Sequence, residues 1–351
     1  MLTYMYLSIR KKNLYRVNVL ILLCLTIIAG NTLAQTKSTK QCAVAFYNVE
    51  NLFDTVNEPG KEDDDFTPAG ACHYTNDIYQ KKLYNLASVL KGMALNVNGP
   101  AIIGLAEVEN DKVLKDLCAQ PAISSRKYKF VWYDGPDVRG IDVALLYNPA
   151  NFVVKASKPI PVYIKANGFV QHTRDILFVC GLLNGEEVFV LVNHWPSRRE
   201  GQDVTADKRR AVAMQNKHIV DSLTLAKPGS KIIMMGDLND NPVDESIKRD
   251  LEATSDKIKE LYNPWVDVFL SGRGTSRYKQ SWQLFDQIII SKTFLSASTA
   301  GWKYDKVEIY NPPILQDKFS KGKGFPYRSY KGTYWVNGYS DHFPVMMYLK
   351  K

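Results

Sequence analysis

Six short clusters of acidic, amide and imidazole residues each stand at the edge of an apolar run, and each of these residue types can bind a cation or move a proton. Asn48 and Glu50 follow the run 43–47, and Glu107 follows 102–106. Asn193 and His194 follow 188–192, and Asp237 and Asn239 follow 232–236. Asp286 is set between Leu284-Phe285 and 288–290, while Asp341 and His342 stand just before Phe343-Pro344-Val345. Each alone is a weak signal, because an Asp after a strand is commonly a turn former or a helix cap. Six together read differently, since carboxylates and amides at strand ends can converge on one rim of a sheet. Such a cluster repels itself without a cation at its centre. An oxygen-rich ligand set suits a hard ion, Mg²⁺ or Mn²⁺, whereas zinc favours more His or Cys.

Strands must deliver these residues. The β-branched or apolar runs 42–47, 101–105, 129–133, 143–147, 176–183, 188–193, 231–235, 285–290 and 345–349 predict strands. Patterns over 79–93, 112–118, 207–225 and 245–261 predict helices, the third with Asp207 as N-cap and Pro228-Gly229 as its stop. Several strands are continuously apolar, which implies burial on both faces and helices outside packed sheets. No repeat, low-complexity block or linker interrupts the pattern, so one α/β domain is expected over 35–351.

Residues 1–34 read as a signal peptide. Arg10, Lys11, Lys12 and Arg16 precede an apolar run over 17–29, and Thr32-Leu33-Ala34 supplies small residues for cleavage. That run is shorter than the roughly 20 residues of a membrane span, so the mature chain is expected to hold no stable span and to be exported, to the periplasm or beyond. The leader carries four of the +9 net charges, leaving a mildly basic mature chain of +5. This is compatible with a phosphate-bearing substrate and weak evidence for one. Four cysteines remain, Cys42, Cys72, Cys118 and Cys180, with no metal-type spacing.

The blocks Tyr47-Asn48-Val49-Glu50-Asn51-Leu52-Phe53, Leu105-Ala106-Glu107-Val108-Glu109-Asn110, Asn193-His194-Trp195-Pro196-Ser197-Arg198, Gly236-Asp237-Leu238-Asn239-Asp240, Phe285-Asp286-Gln287 and Tyr339-Ser340-Asp341-His342-Phe343-Pro344 occur in a telling order. In that order the chain resembles the endonuclease/exonuclease/phosphatase superfamily, of which deoxyribonuclease I, sphingomyelinases and inositol phosphatases are members. The resemblance implies a four-layered α/β sandwich of two packed mixed sheets with helices on the outer faces. It implies Glu107 as principal metal ligand, helped by Asn48 and Glu50, with Asp341 as a second metal-proximal carboxylate. It implies that Asp237 orients or deprotonates the attacking water, and that Asn239 positions the water or the phosphate. His342 would contact the scissile phosphate with Asp286 behind it. His194 falls where nucleases and phospholipid esterases carry His.

Substrate choice is less legible. Arg139 and Arg174 each precede a strand and suit either a phosphate or an ion pair with Asp142 or Asp175. Asp134 or Asp142 is a candidate to orient His194. The segment 318–335 interleaves Arg328 and four lysines with Tyr327 and other aromatics, and runs directly into the Asp341-His342 block. Cations and aromatics together fit bases and phosphates of a nucleic acid, and fit a phospholipid head group nearly as well. The reading is a monomeric, low-specificity exported nuclease that uses water to cut phosphodiesters. Its rivals are a phosphatase or phosphodiesterase on lipid, sugar or nucleotide phosphates, and an inactive surface binding module.

Overall fold

Alternation along single strands assembles this molecule. Ile233 and Met235 face one side of their strand and join a core shared with Phe46, Leu105 and Val345, whereas Ile232 and Met234 face the other and pack with Leu191, Val212 and Val220. A strand apolar on both faces needs a layer on each side. The computed structural model describes residues 40–351 apart from 167, 168, 279, 299 and 320–322. The leader expected over 1–34 lies outside the described residues.

In chain order the first strands are β1 (Gln41–Leu52), β2 (Ile102–Val108), β3 (Lys129–Trp132), β4 (Asp142–Tyr147), β5 (Phe152–Ala166), β6 (Phe169–Leu183), β7 (Glu186–His194) and β8 (Ile232–Asp237). They are followed by β9 (Ala253–Thr254), β10 (Leu261–Tyr262), β11 (Ser276–Tyr278), β12 (Ser281–Gln283), β13 (Asp286–Ser291), β14 (Lys303–Ile309), β15 (Tyr330–Lys331), β16 (Tyr334–Trp335) and β17 (Val345–Lys350). The helices are α1 (Asn76–Gly92), α2 (Asp111–Ala119), α3 (Gln202–Ala226) and α4 (Trp265–Leu270).

One six-stranded sheet runs β14-β17-β1-β2-β4-β3, and a seven-stranded sheet runs β5-β6-β7-β8-β13-β10-β9. Both are mixed: β1 with β2 and β7 with β8 pair parallel, whereas β1–β17, β2–β4, β6–β7 and β8–β13 pair antiparallel. The sheets face one another across the larger core, α3 covers the outside of the second, and the whole is the four-layered α/β sandwich. Their contact is close at Gly104, where a Cβ would lie 2.6 Å from Met235 Sδ and 3.0 Å from the Phe46 ring. A larger residue there would force the Met235 side chain or the Phe46 ring to shift.

Three departures from the sequence reading have local causes. The helix expected over 245–261 is a single π-helical turn, Ser246–Asp250, followed by β9 and β10. Thr254 Oγ1 accepts from Asp256 N and Asp256 Oδ1 from Ile258 N, so side chains take backbone donors a helix would need. Strands β5 and β14 went unread because both are edge strands. Their Pro159, Pro161 and Lys306 are edge residues and spoil an apolar pattern. Helix α3 begins at Gln202 behind Gly201, and Asp207 pairs with Arg210 at 3.1 Å. No helix among the described residues is long and apolar enough to cross a membrane. Cys42, Cys72, Cys118 and Cys180 are unpaired thiols.

Candidate active site

Strands β7, β8 and β13 end side by side at one rim. His194 is the register partner of Asp237 across the parallel pair, and Asp286 is its partner across the antiparallel pair. Residues directly opposite each other project from the same face, so the ladder itself groups these three side chains. The facing sheet contributes Asn48 from β1 and Glu107 from β2. There the chain leaves the ladder through residues in the left-handed region: Glu50 (φ 52°), Asn51 (φ 53°) and Glu107 (φ 65°), with Asn239 (φ 49°) after β8. Each costs on the order of 1 kcal/mol. The same turns let Asn48 Nδ2 donate to Glu107 Oε1 (3.3 Å) and to Asp237 Oδ2 (3.0 Å), joining the two sheets. Asn51 N donates to Glu107 Oε2 at 2.9 Å. Asn239 N donates to Asp237 Oδ1 (3.0 Å), and Asn239 Nδ2 to Trp195 O (2.9 Å). His342 enters on the segment before β17, held through Ser340, whose hydroxyl accepts from His342 N and donates to Asn48 O.

The electrostatics divide the labour. Burial works against a charge on His342, but Asp286 Oδ2 at 2.7 Å from Nδ1 and Asp237 nearby hold its pKa well above the histidine range. It is an imidazolium at neutral pH. His194 is the reverse: burial and the cations Arg174, Arg139 and His342 push it well below that range, so it is neutral. Its Nε2 lies 3.7 Å from Asp237 Oδ2 and 3.8 Å from Glu107 Oε1, and its Nδ1 has no hydrogen-bond partner. Burial pushes Asp237 up to about 6, opposed by His342 and reinforced by Asp286. It is therefore ionised and only mildly basic at neutral pH, the condition for accepting a proton from water. Burial also acts on Glu107, but Arg139, His342 and the Asn48 and Asn51 hydrogen bonds hold its carboxyl below the usual carboxylate range.

This set fits a hard divalent cation. Asp237, Asp286 and His342 bring ligand atoms within 4.8 Å of one another, and all three are buried. His342 Nδ1 and Asp286 Oδ2 already bind each other, while Asp286 Oδ1 is buried with no partner. The carboxylates of Glu107 and Asp237, sharing one amide donor, are the better oxygen ligands, with Asn48 beside them. A bound cation supplies charge neutralisation for the phosphate and the leaving oxygen.

The other expected residues are distributed around this centre. Glu50 turns away from Glu107. Its Oε2 accepts from Ser329 N (2.6 Å) and Ser329 Oγ (2.8 Å), and its Oε1 lies 3.3 Å from Arg328 Nε. Burial and then Asp341 push Glu50 up to about 7. Asp341 lies 3.9 Å from His342 Nε2 and meets Arg328 at 3.3 Å, so the segment after residue 318 does reach the site. Arg139 is half-buried and acts on Glu107 and His194 by its charge. Two substrate assignments change. Arg174 is buried, donating to Asp137 Oδ2 (2.6 Å), His194 O (3.0 Å) and Trp195 O (2.9 Å), so it braces the end of β7. Tyr327 spends its hydroxyl on Val336 O (2.5 Å) within its own loop. Neither Asp134 nor Asp142 orients His194, for Asp134 pairs with Lys61 and Asp142 accepts from Gly135 N.

Sequence reasoning passed over two supports. Arg198 is buried, donates to Asn239 O (2.6 Å) and Asp240 Oδ1 (2.6 Å), and lies over the Phe285 ring. It stands four residues after His194, inside a block already singled out. Lys82 is buried on α1 and donates to Ser329 Oγ (2.7 Å), backing the Glu50 contact. The signal was a lysine three residues after Tyr79 on an otherwise apolar helix face, beside Leu83 and Leu86.

Ionised and neutral imidazoles, a buried proton acceptor and an amide-bridged carboxylate pair gather where two stacked sheets meet, an arrangement suited to phosphoester hydrolysis around a cation. The chain belongs to the endonuclease/exonuclease/phosphatase family, whose model matches residues 43–351. No curated protein sequence matches it. Solved structures with the same fold include D. rerio TDP2 complexed with a single-strand DNA product, at 13% identity, covering 89% of this chain and 100% of that one, with a TM-score of 0.54. A mannosyl-6-phosphatase of Bacteroides thetaiotaomicron is 17% identical over 88% of this chain and 99% of that one, with a TM-score of 0.53. The human Nocturnin catalytic domain is 14% identical over 89% and 97%, with a TM-score of 0.53. Identities this low show a shared fold.

Proposed function

We propose that this protein is an exported, Mg²⁺- or Mn²⁺-dependent phosphodiesterase of nuclease type with little sequence preference. One observation carries the reading: cavities rich in arginine and lysine adjoin both the His342 end and the His194 end of the catalytic centre. One, of about 240 Å³, is lined by Arg277, Phe325, Arg328, Lys331, Asp317 and Asp341. The other, of about 290 Å³, is lined by Arg139, Arg199, Lys208 and Ser197 together with Asp137 and Glu200. A terminal phosphate enters a site from one side, whereas a strand cut internally must leave it in two directions. Trp282 packs on Phe325 at 4.4 Å and Arg277 lies 4.9 Å above the same ring, a wall suited to a base and its phosphate. The DNA product named for one fold neighbour supports the same class. In this reading Asp237 takes the proton of the attacking water. His342 steadies the charge that builds on phosphorus oxygens, and neutral His194 donates from Nε2.

The test is a substrate panel. Plasmid, single-stranded DNA, RNA, bis(p-nitrophenyl) phosphate, sphingomyelin and mannose 6-phosphate are each incubated with Mg²⁺, Mn²⁺ or chelator. Cleavage of polynucleotides and of the diester, lost with chelator, is the expected outcome. A higher kcat/KM on the sugar monoester or on sphingomyelin would overturn the nuclease assignment. Export is checked by sequencing the N-terminus of secreted protein, expected at Gln35.

A further inference from the structure

The cavity beside His194 is assembled from three separate parts of the chain. Strand β6 pairs with β7 only over Leu177–Leu183, so the stretch before Leu177 pairs with β5 alone, as a two-stranded arm that packs against α3. Ile164, His172 and Thr173 of that arm form one wall. Asp137–Arg139 form a second, and Ser197, Arg199 and Lys208, at the entry to α3, form the third. The cavity holds about 290 Å³, several times the roughly 30 Å³ of a liquid water.

Its charges do not balance. Arg174 and Asp137 satisfy each other at 2.6 Å, and Lys208 meets Glu200 at 3.2 Å. Two guanidiniums are left. Arg139 has only the already paired Asp137 within reach, at 3.7 Å, and the Arg199 side chain has no partner among the described residues. Uncompensated guanidiniums beside a hydroxyl-bearing hollow make an anion site, because their forked donors match phosphate oxygens. Arg174, in the cavity wall, donates to His194 O (3.0 Å) and Trp195 O (2.9 Å), so the hollow adjoins the catalytic centre.

We propose that this cavity is a second phosphate subsite, which holds the phosphate next to the scissile one along a polynucleotide strand. The proposal rests on the phosphodiesterase reading and assigns one flank of the substrate to Arg139, Arg199 and Lys208. It also gives the arm a task, to close the far wall around the backbone of the strand.

The experiment uses the purified protein and three small substrates: the dinucleotide TpT, with one phosphate, and its 5′- and 3′-phosphorylated forms. The wild type is expected to show kcat/KM about tenfold higher for one phosphorylated form than for TpT. In the double variant Arg199→Gln/Lys208→Gln this ratio falls to about twofold or less. Arg199 is exposed and Lys208 is half-buried with its only ion pair to the exposed Glu200, so neither substitution empties the core. Equal rates on all three substrates in the wild type, or a preference that survives the double substitution, would overturn the subsite. If none of the three is cleaved, the phosphodiesterase reading fails instead, and binding measured calorimetrically in chelator decides the cavity. Tighter binding of a phosphorylated form, lost in the double variant, still supports the subsite, and equal binding overturns it.

Discussion

Replacing Asp286 by Asn changes one charge and almost no volume. Asp286 is completely buried, and its Oδ2 lies 2.7 Å from His342 Nδ1. A charge-assisted bond of this length is worth about 1–2 kcal/mol more than a neutral one. The imidazolium of His342 therefore loses that much, and its pKa falls back toward the ordinary histidine range. If His342 must be a cation while phosphorus passes through its crowded state, the plateau of kcat/KM falls about 5–30-fold. The assay is initial rate on bis(p-nitrophenyl) phosphate with saturating Mg²⁺ from pH 5 to 10. The alkaline limb should move to lower pH. The stability effect has its own sign. A histidine whose folded pKa is raised contributes stability in full below its ordinary value, and loses it as pH rises through the folded value. Urea denaturation should thus find the variant weakened at pH 6 and nearly equal to wild type at strongly alkaline pH. An alkaline limb in its original place, with a plateau within about threefold of wild type, would refute the charge assignment.

Three further outcomes follow from the same geometry. Glu109, buried beside Asp54, Asp63 and Glu58, is pushed up to about 8, so its contribution is full below the ordinary carboxylate value and is lost as pH rises to 8. Glu109→Gln should therefore match wild type near pH 4.5 and be about 1–3 kcal/mol more stable at pH 9 by urea denaturation, and a variant weaker at pH 9 contradicts it. Arg174→Gln strands the Asp137 carboxylate and should cost about 3–5 kcal/mol. The slope of KM against salt on oligonucleotides should stay unchanged, and a flattened slope would return Arg174 to the substrate. Chelator should abolish turnover, and restoring Mg²⁺ or Mn²⁺ should raise Tm as well as activity, because the cation neutralises the neighbouring buried carboxylates of Glu107 and Asp237. A Tm indifferent to metal would place the cation elsewhere.

The catalytic centre was legible because it lies where apolar runs stop, and a strand end is marked by composition. The grouping of Asn48, Glu107, His194, Asp237, Asn239, Asp286 and His342 needed only the assumption that those ends share a rim. What the sequence hid falls in two kinds. Edge strands β5 and β14 carry proline and lysine where inner strands carry valine and isoleucine, so they read as loops. Partner choice was the other: Arg174 was equally compatible with phosphate or carboxylate, and only the fold brings Asp137, 37 residues away, to within 2.6 Å. Glu50 shows the same limit. Its type suited a metal, yet Ser329, 279 positions along the chain, takes the carboxylate.

Because His194, Asp237 and Asp286 are consecutive rungs across three hydrogen-bonded strands, their spacing is set by the interstrand repeat of about 4.8 Å. Outer helices and the two-stranded arm can fray without disturbing it. Heating should leave these three in register until the central ladder itself parts. The amides of Ile233, Met235 and Ile289 should then be among the last to exchange with deuterium, and their release should coincide with inactivation.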